Sequence, residues 1–273
     1  MAVQASSTFV SADGAGYERQ MGRWSRRLAP LFIDFAGVGR GHVLDVGSGT
    51  GNLALALAEK PAITGVEGVD FSAVYVEHAR ARTKDSRLSF RTGDACALPF
   101  ENGGFDHALS MLVLQFIPQA ETAVAEMRRV TRPGGTVAAA TWDTRGGLLF
   151  YRLFFDTAAL IDPQANIRRA RAYVRPMTRP GELARAWHAA GLTDIVDGML
   201  TIRMDFDSFD DYWAPYEGKD GPIADYVGTL DASIKARLRD AVRLAYIDGE
   251  ADGLRSYAAT AWVVKGKVPD DTN

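Results

Sequence analysis

Apolar positions first recur at helical spacing and then form short, nearly uniform runs. Between residues 17 and 38 they lie three or four apart and predict a helix, which Pro30 should kink or divide. The runs HVLDVG, AITGVEGVD, RLSFRTGD, FDHALSMLVL and TVAAATW then alternate with helices predicted over 50–60, 72–83 and 119–130. Strands and helices in this alternation are typical of a parallel sheet covered on both faces.

The regular alternation of predicted strands and helices ends after Trp142. Helices are predicted over 146–161 and in PGELARAWHAAGL, strands in DIVDGMLTIRMDF and SYAATAWVVKGKV, and mostly helix between those two strands. We predict one domain over 1–273, with a core at 17–142 and two cap insertions at 143–180 and 207–254. Residues 1–16 and 267–273 are expected to be mobile.

Composition narrows the class of protein. A 47% hydrophobic content supports a large core, and 31 basic against 34 acidic residues disfavour a broad nucleic-acid surface. One cysteine excludes an internal disulfide, and the four histidines lack metal-ligand spacing, so we expect no metal site. Without a signal-peptide pattern or a run long enough to span a bilayer, we expect a cytoplasmic protein.

Three closely spaced glycines follow the first apolar strand. Gly47, Gly49 and Gly51 alternate with Ser48 and Thr50 before a predicted helix, so bare backbone and free N–H groups face a ligand. A dinucleotide and a sulfonium nucleoside both suit such a turn. The dinucleotide fingerprint places its third glycine where Asn52 stands, but the turn alone leaves both ligands open.

Three acidic residues lie at or near the ends of successive strands: Asp45, Asp70 and Asp94. The carboxyl ends of parallel strands meet at one crevice, so these side chains should share it. Asp70 suits ribose hydroxyls, Asp94 suits an exocyclic adenine amine, and Asp45 suits an ammonium group or organises the loop. A pyrophosphate would prefer positive charge here, so the acidic rim favours a ligand with a cationic sulfur and an α-amino group.

Together the motifs LDVGSGTG, GVDFS, GDACALPF, FDHALSMLVLQFIP and EMRRVTRPGGTVAAATW resemble class I S-adenosylmethionine-dependent methyltransferases. Within this class, the motifs resemble those of small-molecule enzymes similar to the ones of ubiquinone and menaquinone biosynthesis. The resemblance covers about Tyr17 to Trp142. It implies a Rossmann-like, doubly wound, mostly parallel seven-stranded sheet with an antiparallel last strand. It also implies S-adenosylmethionine as cofactor and a small-molecule methyl acceptor.

The same resemblance implies the cofactor contacts. An N-terminal helix should fold over the cofactor, with Tyr17 stacking or hydrogen bonding and Arg23 pairing with the methionine carboxylate; packing on the sheet is the alternative for Arg23. Asp45 could instead cap the turn, Phe71 could be core, and Cys96 could be a small buried residue. The full expected set is Tyr17, Arg23, Asp45, Gly47, Ser48, Gly49, Gly51, Asp70, Phe71, Ser72, Asp94, Ala95, Cys96, Ser110, Met111 and Gln115.

An aromatic-rich cap predicts an enclosed, partly apolar acceptor chamber, where in-line displacement at the sulfonium methyl would depend mainly on alignment. Gln115 stands where many relatives have His, and it can orient a substrate but not deprotonate it. No catalytic residue is identified. The arginine run Arg168, Arg169, Arg171, Arg175 and Arg179 is typical of a solvated helix surface, or part of it binds an anionic substrate group.

Two rival functions remain open. An NAD(P)-dependent oxidoreductase would need hydride-transfer groups such as a Tyr-x-x-x-Lys pair, which is absent, and would leave Asp94 unexplained. A non-catalytic S-adenosylmethionine-binding protein would have the same pocket. A nucleic-acid methyltransferase is disfavoured by the charge balance and by LQFIPQ after the fourth strand, in place of an Asn/Asp-Pro-Pro-aromatic motif. The sequence indicates neither the methylated atom nor the oligomeric state.

Overall fold

Seven strands form one sheet in the order β3-β2-β1-β4-β5-β7-β6 in the computed structural model, which describes residues 7–9 and 13–270. Strands β1 to β5 pair in parallel, and β7 runs antiparallel to both β5 and β6. This confirms the predicted fold class. The strands are β1 Arg40–Val46, β2 Ala62–Asp70, β3 Leu88–Thr92, β4 Phe105–Met111, β5 Thr131–Trp142, β6 Thr193–Phe206 and β7 Arg255–Lys267.

Helices connect and cover these strands. A π-helical turn, Glu18–Gly22, joins the first two helices, and 3₁₀ turns occupy Leu114–Phe116 and Ala214–Glu217. The α-helices are α1 Gly14–Tyr17, α2 Arg23–Ala36, α3 Asn52–Ala58, α4 Ala73–Ala81, α5 Ala120–Val130, α6 Leu149–Ala158, α7 Gln164–Tyr173, α8 Glu182–Ala189, α9 Phe209–Trp213, α10 Gly221–Val227 and α11 Ala232–Ile247.

Pro30 lies inside α2, so it does not divide this helix, which was one of the two expected outcomes. A proline in a helix interior costs about 3 kcal/mol. Here the ring is exposed, while Trp24, Leu28 and Phe32 on the opposite side of α2 are buried. Burying three such side chains contributes roughly 5 to 9 kcal/mol, which outweighs the cost of the proline.

Alternate residues of the central strands point to opposite faces and build two hydrophobic layers. In β1, Val43 belongs to the layer under α2, α3 and α4, whereas Leu44 belongs to the layer under α5 and α8. In β5, Ala138 and Ala139 separate in the same way. The central strands are therefore buried on both faces, whereas the edge strands β3 and β6 are largely exposed.

The two cap insertions leave the sheet at its carboxyl edge, because β6 runs parallel to β5. They pack on each other through aromatic rings: Phe154 contacts Trp213, Tyr216 and Tyr226, and the Tyr212 hydroxyl donates to the Phe150 carbonyl at 2.7 Å. The caps therefore lie on the crevice side of the sheet. No helix of the described part of the chain is long and apolar enough to cross a membrane.

Parts of the segments expected to be mobile make defined contacts. The Thr8 amide donates to the Phe116 carbonyl at 2.8 Å, and Phe9 packs edge-on against Phe116. At the other end Lys267 belongs to β7, and the Val268 amide donates to Gly135 at 3.1 Å. For residues 1–6, 10–12 and 271–273 the expectation lies outside the described residues.

Candidate functional site

A cavity opens at the carboxyl ends of the parallel strands, next to β1 and β4. The strand order reverses between these two strands: β2 and β3 lie on the far side of β1, and β5 lies on the far side of β4. Such a switch point is where doubly wound sheets bind ligands. Loops after all five parallel strands line the cavity, and the N-terminal helices and α10 close over it.

The glycine turn between β1 and α3 forms the floor. Two of its amides, Gly47 and Ser48, donate to the Val69 carbonyl at 2.7 and 3.0 Å, which folds the turn onto the end of β2. Gly49 has a φ of +53° and open space where a Cβ would stand, so its backbone faces the cavity. The Gly47 site leaves no such room, because a Cβ there would collide with Val113.

Asp70 ends β2 and fixes both neighbouring loops. Its Oδ2 accepts from the Gly49 amide and its Oδ1 from the Ser72 amide, each at 2.8 Å. Burial raises the pKa of this carboxyl, and the two amides partly offset that effect. Both oxygens keep further acceptor capacity, and Asp70 lines the cavity, as ribose recognition requires.

Phe71 and Ser72 follow Asp70 along the same wall. Phe71 is 57% exposed, although its hydrophobic side chain could have packed in the core. An apolar ring held in the open beside a polar loop suits a flat ligand such as adenine. The Ser72 hydroxyl accepts from the Tyr75 amide at 3.3 Å, so Ser72 is the N-cap of α4 and also lines the cavity.

The loop after β3 supplies the third acid. Asp94 accepts the Cys96 amide on Oδ1 at 2.8 Å, which bends the loop so that Asp94 and Ala95 line the cavity. Cys96 itself lies outside the cavity, with its thiol directed to the Gln119 carbonyl at 3.6 Å. Burial raises the pKa of that thiol, so it is a poor nucleophile.

Asp45 has the most unusual environment in the cavity. Its side chain is 1% exposed, and its Oδ2 has no hydrogen-bond partner among the described residues; the Ser48 hydroxyl is equally unpaired. Burial, with a smaller contribution from the charge of Asp70, raises the pKa of Asp45 to about 8. A buried acceptor of this kind lacks a donor, which a ligand ammonium group would provide.

Aromatic rings from the N-terminal helices and α4 form the opposite wall. Tyr17 lies 5.2 Å from Tyr75 between ring centroids, and its hydroxyl is 3.3 Å from that of Ser25. Burial raises the pKa of Tyr17 to about 12. The Tyr75 hydroxyl donates to Asp220 at 3.1 Å, which ties this wall to the second cap.

Glu18, which sequence reasoning missed, fastens the N-terminal helices to the glycine turn. Its Oε1 accepts from Thr50 at 2.5 Å and from Asn52 at 2.8 Å, and it pairs with Arg82 at 3.0 Å. These partners lower its pKa against the effect of burial. Asn52, which stands in the place of the third dinucleotide glycine, therefore anchors Glu18. A single Glu in a helix with several charges gave no signal of this role.

Four predicted site residues lie outside the cavity: Arg23, Gly51, Cys96 and Ser110. Gly51 has a φ of +88°, and a Cβ there would crowd Phe90 at 3.1 Å, so packing explains it. The Ser110 hydroxyl donates to the Val46 carbonyl at 2.9 Å and joins β4 to β1. The remaining twelve line the cavity: Tyr17, Asp45, Gly47, Ser48, Gly49, Asp70, Phe71, Ser72, Asp94, Ala95, Met111 and Gln115.

Arg23 is held elsewhere. It makes a bidentate pair with Asp211 at 2.9 and 3.0 Å and stacks on Trp24 at 4.3 Å. The contact of Arg23 with a methionine carboxylate stays a prediction, and in this structure Asp211 occupies the guanidinium. Asp211 is 188 residues away in the chain and offers a planar, matching partner to the guanidinium.

The side of the cavity next to β4 and β5 is mostly apolar. Gln115 is 2% exposed, and its Oε1 accepts from the Trp142 amide at 3.3 Å. Among the expected aromatic residues of the cap, Trp142, Phe150 and Tyr151 line the cavity. Most others are buried in the packing between the caps and the sheet: Phe154, Phe155, Phe206, Phe209, Tyr212, Trp213 and Tyr216. Arg175, from the arginine run, also lines the cavity.

The chain is similar in sequence to known methyltransferases. A family model described as a methyltransferase domain matches residues 43–135. An uncharacterized protein of Mycobacterium tuberculosis is 32% identical over 179 residues, which is 64% of this chain and 61% of that protein. The ubiquinone/menaquinone biosynthesis C-methyltransferase of a Geobacter species is 36% identical over 127 residues, 45% of this chain and 53% of that enzyme.

Solved structures share the fold. The YcgJ protein of Bacillus subtilis superposes with a TM-score of 0.58 at 19% identity, over 91% of this chain and 99% of that one. A phosphoethanolamine N-methyltransferase of Haemonchus contortus, solved with phosphomonomethylethanolamine and S-adenosylhomocysteine, gives 0.58 at 16% identity, over 94% and 57%. The chain spans only about half to three fifths of the length of the curated relatives it matches.

Proposed function

We propose that this chain, a class I methyltransferase by its fold and by its domain sequence, transfers the methyl group of S-adenosylmethionine to a small, partly apolar acceptor. The observation that carries the proposal is the gathering of Asp45, Asp70 and Asp94 around the open backbone of Gly49 in one cavity. Three acids beside a glycine turn suit an uncharged sugar and base joined to a cationic amino acid, and disfavour a pyrophosphate.

The cavity offers a suitable side chain to the nucleoside end and to the amino-acid end of the cofactor. Asp70 would accept the ribose hydroxyls, Phe71 would cover one face of the adenine, and Asp94 would accept its exocyclic amine. The unpaired Oδ2 of Asp45 would receive the α-ammonium group, which removes the cost of an isolated buried carboxylate. Tyr17 and the Glu18 contacts with the turn would close the N-terminal helices over the bound molecule.

S-adenosylmethionine supplies an already activated methyl group, so the protein needs to align the acceptor with it and exclude water. Gln115, held by the Trp142 amide, is placed to orient an acceptor and has no basic atom. Burial raises the pKa values of Tyr17 and Tyr151 to about 12, so neither is a base at neutral pH. The geometry therefore supports catalysis by positioning, with an acceptor that is nucleophilic without the help of a side-chain base.

Calorimetric titration of wild type with S-adenosylmethionine and, separately, with NADH tests the cofactor. We expect binding of the first ligand alone. Asp70→Ala should weaken it about 150-fold, since two charge-assisted hydrogen bonds at roughly 1.5 kcal/mol each are lost. Asp34→Ala, which removes an exposed acid on α2, is the matched control and should bind like wild type. Binding of NADH instead, or of neither ligand by folded protein, would reject the proposal.

Turnover separates an enzyme from a non-catalytic binder. Release of S-adenosylhomocysteine should rise above the acceptor-free rate when a panel of small apolar acceptors is added to the saturated protein. A protein that binds S-adenosylmethionine tightly but releases no product with any acceptor would instead support the binding-protein reading.

A further inference from the structure

We infer that the methyl acceptor is a carboxylic acid with an apolar body, and that Arg175 binds its carboxylate. This inference rests on the proposed function and names the substrate class of the same cavity. The juxtaposition behind it is one guanidinium, without an acidic partner, among the aromatic side chains next to β4 and β5.

The arginine run divides cleanly into structural residues and one cavity residue. Three of its members pair with acids on the protein surface: Arg168 with Asp225, Arg169 with Asp156 and Arg179 with Glu182. Arg171 is exposed to solvent. Arg175 alone lines the cavity, and within residues 7–9 and 13–270 no carboxylate pairs with it.

Arg175 lies away from the acids that would hold the cofactor. Those acids follow β1, β2 and β3, and we call their side of the cavity the cofactor half. Arg175 contacts Phe116, after β4, and interacts with Tyr151, after β5. Asp70 ends β2, and β1 and β4 lie between β2 and β5, which are therefore about 14 Å apart across the sheet. We call the side next to β4 and β5 the acceptor half. It therefore carries a positive charge of its own, that of Arg175.

The guanidinium is held in place before any ligand arrives. Its central carbon lies over the Phe116 ring, 4.6 Å from the centroid, and Arg175 also lines the cavity. The backbone near it is tied to the end of β5: Thr144 donates to the Ala172 carbonyl at 3.1 Å, and Thr141 to the Met177 carbonyl at 2.5 Å.

The surroundings favour one negative charge on an apolar molecule. Burial lowers the pKa of the Arg175 guanidinium, and the nearby Tyr151 partly offsets that effect. A single guanidinium matches one planar carboxylate through two parallel hydrogen bonds, whereas a phosphate dianion would leave charge uncompensated among apolar groups. Leu148, Phe150 and Trp142 supply the apolar surface for the remainder of the acceptor.

Fluorescence titration of S-adenosylhomocysteine-saturated protein tests the inference, with Trp142 in the cavity as the reporter. The probes are benzoate, cinnamate, 2-naphthoate and octanoate, each beside its own primary amide, and phenyl phosphate. In wild type at least one acid should bind tenfold or more tightly than its amide, and more tightly than phenyl phosphate. Arg175→Gln should abolish this preference, and Arg171→Gln, the matched control, should keep it.

Arg175→Lys provides a second variant, which keeps the charge but loses the planar fork, and should show an intermediate preference. Equal binding of acids and amides, preference for phenyl phosphate, a preference that survives Arg175→Gln, or no binding of any probe would each overturn the inference. Affinity for S-adenosylmethionine should stay within about twofold in both Arg175 variants. Failure of wild type itself to bind S-adenosylmethionine would instead refute the proposed function.

Discussion

Replacing Asp45 by Asn should stabilise the ligand-free protein while it weakens cofactor binding. The carboxyl is 1% exposed with one unpaired oxygen, and burial raises its pKa from 3.8 to about 8. A group whose pKa is higher in the folded state than in the unfolded state loses its stabilising effect as pH rises between the two values. Wild type should therefore lose stability from about pH 4 to about pH 8, and the amide variant should not lose that part.

The size of the effect follows from the pKa difference. At 1.36 kcal/mol per pKa unit, the linkage at pH 7 has an upper bound of about 4 kcal/mol. Water entering the ligand-free cavity and the new amide, which also needs partners, reduce it, and we expect about 1 to 2 kcal/mol. For a chain of this length each kcal/mol raises the melting temperature by roughly 2 °C, so Asp45→Asn should melt about 2 to 4 °C above wild type at pH 7.

Differential scanning fluorimetry from pH 5 to pH 8.5, with and without S-adenosylmethionine, measures both effects. Without ligand the advantage of Asp45→Asn should grow with pH. With ligand the order should reverse, because only wild type offers a carboxylate to the ammonium group. Wild-type affinity should fall as pH drops below the raised pKa of Asp45, and binding should release a proton, which calorimetry in buffers of different ionisation enthalpy detects.

Asp34→Asn, at an exposed position on α2, serves as the control and should leave both curves unchanged. A variant that is less stable than wild type at every pH would refute the reasoning about the buried carboxyl. A variant that binds S-adenosylmethionine as tightly as wild type would refute the assignment of Asp45 to the ammonium group.

Three further predictions follow from the cavity wall. Gly47→Ala should unfold or strongly destabilise the protein in chemical denaturation, because the new Cβ would collide with Val113. Gly49→Ala has open space for its Cβ and should lose only about 1 kcal/mol of stability for its left-handed φ. Its main effect should be weaker S-adenosylmethionine binding in calorimetry. Phe71→Ala should change stability by no more than about 0.5 kcal/mol, since the ring is 57% exposed, yet weaken S-adenosylmethionine binding about tenfold; unchanged affinity would exclude an adenine contact. Glu18→Gln should lower stability by about 1 to 3 kcal/mol and speed hydrogen exchange in residues 14–22, because it weakens the contacts with Thr50, Asn52 and Arg82. An exchange rate equal to that of wild type would show that Glu18 does not fasten these helices.

The sequence predicts those parts of the fold and site that depend on short-range pattern. Apolar runs and their spacing predict the five parallel strands, and Asp45, Asp70 and Asp94 fall at strand ends that a parallel sheet must bring together. The family resemblance implies an antiparallel last strand, and β7 is antiparallel to β5 and β6.

What the sequence could not predict depends on partners distant in the chain. Arg23 is removed from the cavity by Asp211, and no local pattern links the two residues. The five arginines of the run look alike in sequence, and only the folding of the first cap onto β5 brings Arg175 inside. Pro30 lies within an unbroken α2 because the buried face of the helix outweighs the local cost.

The central claim, that the cavity at the strand ends binds the cofactor through the three acids, is tested most directly by a crystal structure with S-adenosylhomocysteine. The account predicts the ribose hydroxyls on Asp70, the adenine amine on Asp94 with the ring against Phe71, and the amino group on Oδ2 of Asp45. A ligand bound elsewhere, or one in this cavity whose amino group does not contact Asp45 and whose ribose does not contact Asp70, would contradict it.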